Sequence, residues 1–88
     1  MGHIVKRAGH TEAYDERKLY ASIYASCLAV REPQATAELV AANVVKDFNQ
    51  WLKKKTEITS HDIRRVAAQH LHVYNEDAAY IYQHHRNF

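Results

Sequence analysis

From Ala37 to Leu52 apolar side chains return at every third or fourth position: Ala37, Val40, Ala41, Val44, Val45, Phe48, Trp51 and Leu52. A stripe with that period belongs on one face of a helix, and such a face has to be covered by other apolar surface. Pro33 suits the first turn of this helix, the longest in the chain. The remaining segments of an 88-residue chain must supply the cover, because a chain this short buries only about 60% of its unfolded surface and every element has to share one core.

The cover is legible in three further stripes. Leu19, Ile23 and Cys27, with Tyr20, Tyr24 and Leu28, recur at helical spacing from Glu16 to about residue 29, and Asp15 is placed to accept from the free N–H groups at that start. Ile63, Val66, Ala67, His70, Leu71 and Tyr74 form another. Thr59 with Asp62 has the spacing of a capping box for it, and Ser60 is the competing cap. After Asn75 the stretch NEDAAYIYQHHRNF restarts a helix with Ala78, Ile81, Tyr82 and His85 on one side.

Ahead of the helices HIVKR alternates apolar and polar residues, so residues 3–7 and 10–14 read as a hairpin, with Gly9 supplying the positive φ of the turn. TEIT is too short for a helix and adds a third strand around Glu57 and Ile58, after the lysines at 53–55 close the long helix where cations complement its dipole. The element order predicts an α+β fold in a single domain over residues 1–88: four helices sharing their apolar faces, with a small sheet across one end or side.

Bulk properties exclude several classes. No apolar run approaches the roughly 20 residues of a membrane span, and the expected location is cytoplasmic. The single cysteine, Cys27, excludes an internal disulfide and a four-cysteine zinc ribbon, and reads as a small core residue. Seven histidines invite a metal, yet His70 and His72 diverge on their helix, His84 and His85 are adjacent, and none of these pairs has the i, i+4 spacing of a helical metal site. No nucleophile, base and orienting group form a recognisable set, and no Walker-type glycine loop occurs, so the expectation is binding without turnover. A net charge of +2 is weak for a dedicated nucleic-acid binder.

The remaining feature is VKRAGHTEAYDERKL, residues 5–19, where Lys6, Arg7, Glu12, Asp15 and Lys18 crowd the junction of a hairpin with a helix start. An anion beside a helix N-terminus gains from the dipole and the free N–H groups, and lysine or arginine strengthens such a site. Carboxylate acceptors nearby suit an exocyclic amine or a sugar hydroxyl. A ligand with a polyphosphate at one end and an amino-bearing base at the other fits that division, and ordinary surface ion pairs are the competing explanation.

The same stretch resembles, residue by residue from Ile4 to Leu19, the opening signature of the ATP-cone domain. EITSHDIRRVA is similar to the family's second block, and DAAYIYQHHRNF to its closing helix. The resemblance implies a four-helix bundle covered by a three-stranded mixed sheet, the hairpin plus a short strand before the third helix. It implies a non-catalytic allosteric module that takes ATP or dATP, with Mg2+ able to accompany the phosphates, as in ribonucleotide reductases and the repressor of their genes. Carried over to this chain, backbone around Ile4 and Val5, with Glu12 and Asp15, would meet the adenine, and Lys6, Arg7 and Lys18 the phosphates. Ser60, Ile63 and Arg64 would fall near the ribose and phosphates, and Arg86 would supply the basic residue of the last helix. Two positions depart from the pattern: Ala8 replaces an Asp or Asn, and Arg64 stands where many members carry His. The implied partners are adenine nucleotides and either a homo-oligomer or a larger partner protein or parent chain. The alternative from another class is a small protein- or nucleic-acid-interaction domain that no longer binds nucleotide.

Overall fold

The computed structural model of the chain describes residues 4–7 and 9–84, Arg7 in its backbone only. Along the chain come β1 (Ile4–Arg7), β2 (His10–Ala13), α1 (Glu16–Ala29), α2 (Gln34–Leu52), β3 (Glu57–Thr59), α3 (Ser60–Tyr74) and α4 (Glu76–His84). The architecture is α+β. β1 and β2 form the expected antiparallel hairpin, Val5 opposite Glu12, and Gly9 at φ 82° occupies the left-handed region that glycine enters at no steric cost. β3 pairs in parallel with the other edge of β1, Val5 beside Ile58, which gives a mixed sheet of order β2-β1-β3. Alternation across the sheet buries Val5 and Ile58 and leaves Ile4, Lys6, Glu57 and Thr59 exposed.

Each helix start has an identifiable cause. Asp15 accepts from the Arg17 amide at 2.9 Å and caps α1. Thr59 rather than Ser60 caps α3: its Oγ1 accepts from the Asp62 amide at 3.0 Å while Asp62 Oδ2 accepts from the Thr59 amide at 3.0 Å, a complete capping box. Pro33, expected inside the first turn of α2, instead precedes it, because its ψ of 148° is extended; its carbonyl accepts from the Ala37 amide at 2.9 Å. At the start of α4 the Asn75 Oδ1 accepts from the Ala78 amide at 2.9 Å.

Behind the sheet the helices share one apolar core. α1 packs against α2 and α4, and α3 against α2 and α4. Ile23, Cys27, Val44, Phe48 and Leu71 are fully enclosed, and full burial of a large apolar side chain contributes about 1.5–3 kcal/mol. Several stripe positions differ from the sequence reading: Leu28 on α1 is 40% exposed, and His85 lies outside the described residues. Tyr74, the last residue of α3, is 42% exposed and donates to Asp47 Oδ2 at 3.2 Å. On α4, which meets both α1 and α3, Ala79 is buried with Ala78 and Tyr82, while Ile81 is only half-buried.

Among the described residues no helix is long and apolar enough to cross a membrane.

Candidate functional site: a cavity between two helix starts

Two helices begin at one cavity, and α4 reaches it through Tyr82. α1 contributes Lys18, Leu19 and Ser22, and α3 contributes Ser60, His61, Ile63 and Arg64 from its first turns. Residues 12–15, which lead from β2 into α1, and the buried Val5 complete the lining. The volume is about 400 Å3, within the usual range of small-molecule sites. Both helix N-termini bring the positive ends of their dipoles to this region. Lys18 and Arg64 add full positive charges, while Glu12 and Asp15 add carboxylate acceptors. The lining thus holds donors for an anion, acceptors for an amine or hydroxyl, and apolar surface from Val5, Leu19 and Ile63 in one concavity.

Two of these groups are held in place by hydrogen bonds. Arg64 donates from one terminal nitrogen to the Tyr82 carbonyl at 2.7 Å, and its guanidinium carbon lies 5.5 Å from the centroid of the Tyr82 ring. Burial pushes the Tyr82 phenol up to about 12, with the Arg64 charge acting in the opposite direction. Tyr14 donates to Asn49 Oδ1 at 3.0 Å, and its ring sits 5.6 Å from that of Phe48. Burial first, then the charges of Glu16 and Asp15 among its neighbours, raises the Tyr14 phenol far above the usual range. Both tyrosines are therefore neutral at physiological pH.

Residues 2–88 match the profile of the family described as the ATP cone domain. The chain belongs to that family. No curated protein and no solved structure matches it. The ATP cone is a regulatory domain type, non-catalytic in itself, that binds adenine nucleotides in general.

Of the residues singled out in the sequence, the cone brings Val5, Glu12, Asp15, Lys18, Ser60, Ile63 and Arg64 to the cavity wall. Ile4 is 49% exposed and does not line it. Lys6 does not line it either; its Nζ lies 2.9 Å from Glu57 Oε1 on the neighbouring strand. The side chain of Arg7 and the whole of Arg86 lie outside the described residues.

Sequence reasoning passed over Tyr14, Ser22, His61 and Tyr82 as parts of this wall. Ser22 could have been found, since it stands one turn from Lys18 on the same helix face. Tyr82 reads correctly as a core residue, 5% exposed, and the stripe alone does not show that it also borders a cavity.

Among the described residues no group of three histidine, cysteine or acidic side chains is arranged to hold a metal. Cys27 is enclosed, and burial, followed by the nearby Glu32 carboxylate, pushes its thiol up to about 12. Such a thiol is inert.

Proposed function

We propose that this cone binds ATP or dATP in the cavity and acts, without hydrolysing it, as an allosteric regulatory module of the kind that controls ribonucleotide reductase activity or expression. The observation that carries the reading is the meeting of two helix N-termini, Lys18 and Arg64 with the carboxylates of Glu12 and Asp15 in one cavity. The cations and dipoles suit the phosphates, and the carboxylates suit the exocyclic amine and the sugar hydroxyls. Lys6 and Arg7 on β1, and Arg86, are the further phosphate ligands of this proposal. The exposed ion pair of Lys6 with Glu57 is no obstacle, because such pairs contribute little and Lys6 exchanges it for a phosphate at small cost.

The circuit of helix contacts, α1 to α2 to α3 to α4 and back to α1, supports reading the helices as the bundle that the family resemblance implies, with residues 1–88 as one cone. Regulation requires that ATP and dATP differ in free energy between two states of an assembly, since a ligand with equal affinity for both shifts nothing. A second copy of the chain, a larger partner or a parent chain supplies that assembly. Mg2+ accompanies the phosphates.

Thermal unfolding with ATP, dATP, GTP and CTP, each with and without Mg2+, tests the reading. A ligand at about 100 times its dissociation constant adds roughly 2.7 kcal/mol, and each kcal/mol moves the midpoint of a domain this size by about 4–8 °C. A rise confined to the adenine nucleotides, and much reduced in Lys18→Ala, is the expected result. No shift with any nucleotide, or equal shifts with all four, overturns it.

A further inference from the structure

The hydroxyl of Ser22 has its one hydrogen already committed. Its Oγ lies 3.0 Å from the Lys18 carbonyl one turn earlier on α1, and a carbonyl oxygen only accepts, so the hydrogen lies along that bond. One turn later Ser26 repeats the contact: its Oγ, fully enclosed, donates to the Ser22 carbonyl at 2.9 Å. Lys18, Ser22 and Ser26 form a single row on the face of α1. Lys18 and the half-buried Ser22 border the cavity, and Ser26 lies behind them in the core.

With the hydrogen on the Lys18 carbonyl, the Ser22 hydroxyl keeps only lone pairs, and a group entering the cavity meets it as a neutral acceptor. The same wall holds the charged acceptors Glu12 and Asp15. Close to a phosphate a carboxylate is repelled, whereas a neutral oxygen is not. Ser22 stands one turn, about 5.4 Å, from Lys18, the cation assigned above to the phosphates. That spacing suits the sugar joined to a phosphate and falls short of the exocyclic amine on the far side of the base.

We propose that Ser22 Oγ accepts a hydrogen bond from a ribose hydroxyl of the bound nucleotide. This rests on the nucleotide-binding reading above and adds to it a residue that tells one sugar from another. The 2′-hydroxyl is the group by which ATP differs from dATP, and an acceptor that it alone satisfies gives the two ligands unequal affinities. The 3′-hydroxyl is the other donor the sugar offers, and the choice of ligand separates the two.

Dissociation constants for ATP, dATP and 3′-deoxyATP, measured by calorimetry on the full chain and on Ser22→Ala and Ser22→Thr, test the proposal. The unsubstituted chain should bind ATP roughly three- to tenfold more tightly than one of the two deoxy analogues, the effect of one ordinary hydrogen bond. Ser22→Ala should weaken ATP by the same factor and leave that analogue as it was, so that the preference disappears. Its unligated stability should hold or rise slightly, since alanine is the better helix former and a back-bond to the preceding turn adds nothing to the helix. Ser22→Thr, whose hydroxyl can make the same back-bond, should keep the preference.

Equal affinities for all three nucleotides in the unsubstituted chain overturn the proposal and leave nucleotide binding standing. So does a Ser22→Ala chain that loses equally for all three, which would turn the hydroxyl toward phosphate or base, or that loses for none. A preference that vanishes in Ser22→Thr as completely as in Ser22→Ala would place the discrimination in the shape of the wall, and overturns it as well. If the unsubstituted chain binds none of the three, both readings fall.

Discussion

At the end where α1 gives way to α2, and α3 to α4, polar groups close on one another; at the end where α1 and α3 begin, they are spread around an open cavity. At the closed end Asn75 donates to Glu32 Oε2 at 2.7 Å, accepts from the Ala78 amide at 2.9 Å and donates its own amide to Leu71 at 2.9 Å. One residue, through its side chain and its backbone amide, thereby joins the end of α3, the start of α4 and the loop after α1. That loop completes its turn with Arg31 at φ 68°, whose amide donates to Leu28 while that of Glu32 donates to Cys27, satisfying two carbonyls that α1 leaves open. At the open end the carboxylates and cations are similar in kind, but seven of the residues noticed in the sequence face a volume of about 400 Å3 rather than only one another. The difference teaches that charge density in the sequence does not separate a clamp from a site. The space between the charges does.

Breaking the clamp should have the largest effect. Asn75→Ala removes a helix cap, worth about 1 kcal/mol, and a hydrogen bond to a carboxylate, worth about 1.5–3 kcal/mol. The second loss is made worse because Glu32 Oε1 is already buried with no hydrogen-bond partner among the described residues. Urea or thermal unfolding should show a loss of about 3 kcal/mol, while the nucleotide affinity of the folded protein stays as it was. A fall in affinity comparable to the fall in stability would mean that the two ends are not separable.

A smaller change sharpens the comparison in the other direction. Arg31 holds a left-handed conformation in which a Cβ costs about 1–2 kcal/mol and glycine is the usual occupant. Arg31→Gly should raise stability by about 1 kcal/mol, once the greater freedom of glycine in the unfolded chain is subtracted. A lower midpoint would show that the arginine side chain contributes something at the closed end that its geometry does not reveal.

The smallest expected effect is at the start of α3, beside the cavity. The Thr59 amide, donating to Asp62, holds that carboxyl below its ordinary value, with Arg65 nearby acting in the same direction. A carboxyl whose pKa is lower in the folded state stabilises above its unfolded value, about 3.9 for Asp, and loses that contribution as pH falls through the lower folded value. Unfolding measured from pH 7 down to pH 2 should therefore show part of the acid loss below about pH 4 disappearing in Asp62→Asn, which is also slightly less stable at neutral pH. Identical acid limbs in the two proteins would contradict the capping box.

Much of the fold was legible because its signals are local. The hairpin turn at Gly9, the cap at Asp15, the Thr59 and Asp62 box and the stripe of α2 each depend on residues within a few positions of one another. The charged stretch from Lys6 to Lys18 is local in the same way, and it supplies Glu12, Asp15 and Lys18 to the cavity wall.

What stayed hidden depends on pairs far apart in the chain. Asn75 reads as a helix cap, and nothing in its neighbourhood announces that Glu32, 43 residues away, is its partner. Tyr82 reads as core, and only the fold brings Arg64 beneath its carbonyl. Lys6 and Val5 are adjacent in sequence and lie on opposite faces of one strand, so a motif that names both does not say which of them faces the cavity.

The contrast between the ends can be measured residue by residue from backbone amide chemical shifts during a titration with ATP. The account predicts saturable shifts at Glu12 to Ser22, at Ser60 to Arg64 and around Tyr82 on α4, with the amides of Arg31, Glu32 and Asn75 unmoved. Saturable shifts centred on the closed end, or none anywhere in the described chain, would contradict it.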